Sequence, residues 1–196
     1  ASAYTQTGPS SVTILSGGAM IDSSAFNLNG GALRGTGTID GPLTATTANA
    51  TTIAPGASPG TITINGNTIL GGSNTLAMEI GGLAAGIDYD LLDVNGELTL
   101  GGLLNLTFIN GFWPLIGDQF DIVTTNAAVL GTFTNVANGG FLQDTDGFHT
   151  FSVHYGAGSA YNPNNVTLLA ITPEPSRTLL LMLGAASLML RRRRRS

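Results

Sequence analysis

Thr61-Ile62-Thr63-Ile64-Asn65-Gly66 is the stretch on which the fold turns. Threonine and isoleucine alternate strictly, so a strand here would send one to water and the other to a core. Both are β-branched and suit a pleated surface. Asn-Gly then offers two positions that tolerate left-handed backbone, and the run stops. The same pattern recurs further along the chain. Leu98-Thr99-Leu100, Leu104-Asn105-Leu106-Thr107-Phe108, Phe120-Asp121-Ile122-Val123, Phe148-His149-Thr150-Phe151-Ser152-Val153 and Val166-Thr167-Leu168-Leu169-Ala170-Ile171 all read as strands. Asn-Gly follows an apolar residue again at Leu28-Asn29-Gly30, Val94-Asn95-Gly96 and Ile109-Asn110-Gly111, at spacings of 36, 30 and 15 residues. Strong helix formers never gather at helical spacing before residue 178.

The chain is therefore predicted to be all-β. Two architectures fit: a β-solenoid whose coils stack strand on strand, or an antiparallel β-sandwich of hairpins. The solenoid is favoured by 28 Gly, 25 Thr and 15 Asn among 196 residues, because stacked coils align like side chains in ladders. Residues 1–110 are assigned to solenoid repeats. From 111 to 172 the pattern shifts to aromatics, with Phe112, Trp113, Phe120, Phe133, Phe141, Phe148, Phe151 and Tyr155. Large side chains on antiparallel hairpins would cover the last coil, whose core is otherwise open. Trp113 is read as part of that cap, with sugar stacking as the competing role.

Composition narrows function. Only 10% of residues are charged, and lysine and cysteine are absent. Up to Thr172 there are 11 acidic residues against Arg34 alone, a net charge of −10. Such a surface repels phosphate backbones, so nucleic acid is not an expected partner. Without cysteine there are no disulfides, thiolate zinc sites or cysteine nucleophiles. The first residues, from Ala1 to Thr7, show no initiator Met, basic n-region or apolar h-region. The chain is accordingly expected to be the C-terminal part of a longer or processed precursor.

Candidate sites are few. Asp88, Asp90 and Asp93 form the densest carboxylate cluster and are the candidate calcium ligands, the simpler role being polar caps on a turn. No cofactor other than that calcium is expected. Asp144-Thr145-Asp146-Gly147 resembles part of a calcium loop but lacks the distal Glu, and reads as an Asx hairpin turn. His149 and His154, five apart, would face opposite ways on one strand and are expected at the surface. Gly156-Ala157-Gly158-Ser159 opens no helix and reads as a loop. No G-x-S-x-G elbow is present, and no catalytic residue is assigned.

The C-terminus is the most specific segment. Pro173-Glu174-Pro175-Ser176-Arg177 is followed by an uncharged run from Thr178 to Leu190 and then by Arg191, Arg192, Arg193, Arg194 and Arg195. Two prolines hold the first part extended, the second part seeks to leave water, and the arginines resist crossing a bilayer. As a helix the 13-residue run rises roughly 20 Å, short of a bilayer core of about 30 Å, so it suits a temporary anchor. A short buried helix of a soluble domain would not account for five abutting arginines.

Two resemblances follow from these residues. Gly35 to Leu43, Ile53 to Asn67, Leu76 to Gly82 and Asp88 to Gly96 are similar to the strand repeats of autotransporter-type passenger proteins. That likeness, over about residues 30–136, implies right-handed parallel β-helix coils at a bacterial surface. It implies no reaction, and with no transmembrane barrel following, self-translocation is not expected. Residues 173–196 closely resemble the PEP-CTERM sorting signal of Gram-negative bacteria, on Pro173-Glu174-Pro175, Ser176, the Leu-rich stretch with Gly184 and the arginine cluster. Asn164 to Thr172 is similar to the strand that leads into such signals. The resemblance implies recognition and processing by an exosortase near the tripeptide and a short transmembrane helix over Thr178–Leu190. It also implies export from an inner-membrane-tethered precursor to the envelope, cell surface or exopolysaccharide matrix of a biofilm-forming species. The expected protein is non-enzymatic, structural or adhesive. The alternative is a carbohydrate-active β-helix domain, a polysaccharide hydrolase or lyase, in which Arg34 would meet the Asp88–Asp93 cluster in one groove.

Overall fold

In the computed structural model, residues 2–22, 24–46 and 48–171 are described, and among them every regular element is a strand. The chain runs in circuits. The first comprises β1 (Tyr4–Gln6) and β2 (Val12–Asp22), and the second β3 (Phe26–Leu28) and β4 (Gly31–Asp40). A third holds β5 (Leu43–Ala45), β6 (Thr51–Pro55) and β7 (Thr61–Ile64); a fourth holds β8 (Thr68–Leu70), β9 (Asn74–Ile80) and β10 (Leu91–Val94). The fifth is β11 (Leu98–Leu100), β12 (Leu103–Phe108) and β13 (Gln119–Thr125), and β14 (Val129–Gly131) opens the next. Then follow β15 (Gly140–Gln143), β16 (Thr150–Tyr155) and β17 (Asn165–Ala170).

Two sheets result. One is six-stranded and all parallel, in the order β1-β3-β5-β8-β11-β14. The other is eleven-stranded and mixed, running β12-β9-β6-β4-β7-β10-β13-β17-β16-β15, with β2 on β4. Strand β4 joins two wings of this sheet: its residues 31–34 pair with β6, while 37–39 pair with β7. Every named pairing among β1 to β14 is parallel, so parallel order continues past residue 110. Among the named strands, antiparallel pairing is confined to β13–β17, β17–β16 and β16–β15. This is not the hairpin sandwich offered as an alternative from the sequence.

The alternation read at Thr61–Ile64 is realised: Ile62 and Ile64 are fully buried and the threonines partly exposed. Parallel register then stacks like on like. Leu33, Ile53, Leu76 and Leu104 occupy successive registers in one wing; Ile39, Ile64 and Val94 do so in the other. All are fully buried, each worth roughly 1.5–3 kcal/mol of transfer free energy.

Asn-Gly does not close hairpins here. It turns the chain from β7 to β8 and from β10 to β11, strands that belong to different sheets. The glycines serve close stacking: a Cβ on Gly66 would lie 2.7 Å from Pro42 N, and one on Gly96 would lie 2.6 Å from the Gly66 carbonyl. The asparagines stack too. Asn95 Nδ2 donates to Asn65 Oδ1 at 2.8 Å, and Asn65 Nδ2 donates to Asp40 Oδ1 at 3.3 Å.

The free edge of β12 is met by the segment after β14. Thr134 N–H donates to the Gly102 carbonyl at 2.6 Å, and Thr145 N–H donates to the Leu106 carbonyl at 2.9 Å. Phe120, Phe151 and Tyr155 are buried beneath these strands. The sorting residues Pro173, Glu174 and Pro175, the segment Thr178–Leu190 with its expected helix, and Arg191–Arg195 lie outside the described residues. Among the described residues no helix is long and apolar enough to cross a membrane.

Candidate functional site

A groove of about 710 Å³ runs over the outer surface of the wing formed by β4, β6, β9 and β12. Its floor follows from register. Ile14, Arg34 and Ala54 are cross-strand neighbours, and Ala77 continues their row. Charge enters from Arg34, Glu79 and Asp90, and Thr36, Thr52 and Thr107 contribute hydroxyls.

The rim is the loop 56–60, which needs its glycines. Gly35 and Gly56 exchange backbone hydrogen bonds at 3.1 and 2.7 Å, both with positive φ, +94° and +90°. A Cβ on Gly56 would meet Gly60 N at 2.3 Å and Asp90 Oδ1 at 2.7 Å.

Asp90 is buried, only 1% exposed, and holds this corner from beneath. Its Oδ1 accepts from Gly60 N–H at 2.9 Å and its Oδ2 from Glu79 N–H at 2.8 Å. Burial pushes its carboxyl up from the usual range to about 7. The two backbone donors oppose that rise and the nearby Glu79 carboxylate adds to it. The Arg34 side chain is exposed and, among the described residues, makes no hydrogen bond or ion pair. The groove thus pairs an uncommitted guanidinium fork with the half-buried Glu79 carboxylate, a combination that can hydrogen-bond a polyhydroxylated chain.

The aspartate cluster separates in space. Asp90 lies in the groove with Arg34, whereas Asp93 on β10 accepts from Thr124 Oγ1 at 2.8 Å and Asp88 Oδ2 accepts from Ala84 N–H at 3.2 Å. Each carboxylate serves its own turn or strand. The three do not form a calcium site, and no group of three metal-ligating side chains occurs among the described residues.

The hairpin turn at Asp144 forms as expected, its Oδ1 accepting from Phe148 and His149 N–H at 2.9 and 3.1 Å. His149 corrects the surface assignment. It is 5% exposed, bonds Asp144 Oδ2 through Nδ1 at 2.6 Å and stacks on Phe108 at 4.3 Å. The closing pair of the β15–β16 hairpin folds it inward over the end of β12. Trp113 meets the same histidine edge-on at 4.2 Å, which gives it a packing role in the cap. His154 is half-buried, its Nε2 3.1 Å from Ser152 Oγ. Glu79 carries no motif in the sequence, and its alternation with Ala77 on β9 is the one signal that places both on this face.

Comparison with protein-family profiles, with curated proteins and with solved structures returns no match.

Proposed function

We propose that the chain is a right-handed parallel β-helix with an antiparallel cap, serving as an exported, non-enzymatic envelope or exopolysaccharide-matrix protein. In this reading the tail from Pro173 to Arg195 brings the precursor to the inner membrane. An exosortase-type protease then processes it near Pro173-Glu174-Pro175. The observation that carries the scaffold role is the parallel stacking of β1 to β14, which presents polar side chains in rows, such as the carboxylate of Asp40 with the amides of Asn65 and Asn95. Rows of this kind match the repeated hydroxyls of a polysaccharide and need no metal or thiol. The experiment compares chain mass and location, with an N-terminal tag, in cells with and without the exosortase, and after alanine replacement of Pro173, Glu174 and Pro175. Unchanged mass and location across all three would sink the sorting role.

A second reading, carbohydrate cleavage, is favoured by the meeting of Arg34, Glu79 and Asp90 in one groove. A carboxyl still partly protonated near neutrality is the kind of group that serves as a general acid. Both Asp90 oxygens are occupied by backbone donors, which supports the scaffold reading first. Release of reducing ends from uronate polysaccharides, lost in Glu79→Gln, would reverse that order.

A further inference from the structure

The chain leaves the described body between two exposed apolar tips. Gly117 N–H donates to the Ala170 carbonyl at 2.9 Å, and Ile171 N–H donates to the Thr150 carbonyl at 3.0 Å. Just before Gly117 stand Leu115 and Ile116, 61% and 62% exposed; just before His149 stands Phe148, 66% exposed. The loop 109–118 stacks on the loop 81–90 of the preceding circuit, since both leave paired ends, Ile80 and Phe108, and a Cβ on Gly81 would meet Ile109 Cγ1 at 2.8 Å. That second loop carries Leu83 at 58% and Ile87 at 74% exposure. Five large apolar side chains thus stand out from one corner and the hairpin beside it.

We propose that this corner is a lipid-contact surface, seated on the bilayer to which the tail brings the protein. The inference rests on the membrane reading of the tail and adds the face that the body turns towards the lipid. Six residues, 172–177, separate Ile171 from the apolar run beginning at Thr178, so fully extended the link from one to the other spans at most about 25 Å. The exit corner is therefore held close to the interface whenever that run enters the membrane. Of the three carboxylates on these loops, Asp90 is buried under the groove rim and the other two accept from their own loops, Asp88 Oδ2 from Ala84 N–H and Asp118 Oδ2 from Leu115 N–H; on the hairpin the exposed Asp146 stands two residues before Phe148. Leu, Ile and Phe side chains at the depth of the acyl boundary gain by leaving water. The rest of the body, at net −10 up to Thr172, gains nothing from an anionic leaflet, so neutral lipid is the partner.

The native chain has no cysteine, so single labels are unambiguous. Ile116→Cys and Phe148→Cys, with Ala128→Cys on the turn between β13 and β14 as control, would carry a polarity-sensitive dye in the full chain. Each is mixed with phosphatidylcholine vesicles. The expected result is vesicle binding with blue-shifted emission at 116 and 148 and none at 128. In addition, serine at 83, 87, 115, 116 and 148 together should lower vesicle partition at least tenfold while unfolding stays cooperative. Binding with the dyes at 116 and 148 still in water overturns the proposal and leaves the tail reading standing. No vesicle binding at all overturns the tail reading and this inference with it. Dyes shielded before lipid is added overturn the proposal in favour of cover by the chain's own segment or by a second copy.

Discussion

Asn135 and Leu104 are joined by a reciprocal pair of hydrogen bonds. Leu104 N–H donates to Asn135 Oδ1 at 3.0 Å, and Asn135 Nδ2 donates to the Leu104 carbonyl at 2.8 Å. One side-chain amide thereby does for β12 what the backbone of another strand would do, on the edge that has no strand partner. Asn135→Leu should leave both Leu104 groups without partners and cost about 1–3 kcal/mol, read by urea unfolding. Asn135→Asp keeps the acceptor but sets a carboxylate oxygen against the Leu104 carbonyl, so it too should destabilise, and less at low pH, where a protonated carboxyl can donate. Equal stability of all three would show that the amide pair contributes nothing.

Asp90 sets a pH dependence. Its carboxyl is raised in the folded chain from 3.8 to about 7, so between those values the folded state holds a proton that the unfolded state has released. Stability from this group is therefore full at low pH, falls as pH climbs through about 4 to 7, and levels off above. The ceiling on the fall is about 4 kcal/mol, at 1.36 kcal/mol per pH unit. Asp90→Asn should flatten this part of the profile in unfolding measurements from pH 4 to 8. A variant with the wild-type slope would place the titration elsewhere.

Two glycines should respond oppositely to alanine. At Gly96 the added Cβ would sit 2.6 Å from the Gly66 backbone, and since backbone cannot swing aside, a loss of about 2 kcal/mol or more is expected. Gly72 has open space around it and no positive φ, so Gly72→Ala should be neutral or stabilising by up to about 1 kcal/mol. Paired thermal melts of the two variants give the comparison.

His149→Phe keeps a ring against Phe108 but strips Asp144 Oδ2 of its partner at a side chain only 1% exposed. A cost of about 3 kcal/mol is expected, and adding Asp144→Asn should recover part of it. Costs that simply add in the double variant would deny the coupling.

Much of the fold was legible in Thr61–Ile64, because period-two alternation is a local property and survives any choice of partner. Parallel rather than antiparallel pairing was not legible in Asn65-Gly66 itself. The dipeptide permits a hairpin and also permits close packing of corners, and only the neighbouring circuit decides between them. Arg34 and Asp90 stand out in the sequence as residues that a groove would have to unite. Their meeting depends on the stacking of β4, β6 and β9 and on the buried path of the chain after Tyr89. The burial of His149 is not legible in strand periodicity, because it arises from the hairpin turn at Asp144 and from Phe108, 41 positions earlier.

The loops 56–60, 81–90 and 109–118 leave the same corner on consecutive circuits and differ in length, while the strands they join keep register. Core and corner are thus under separate constraints. The buried columns, with Tyr89 and Asp90 closing one of these loops, dictate where each circuit must return, and they leave free the exposed tips around Leu83, Ile87, Leu115 and Ile116. A foreign peptide spliced into this corner would meet little resistance from the folded interior, and gene duplication could lengthen the stack one circuit at a time beneath an unchanged cap.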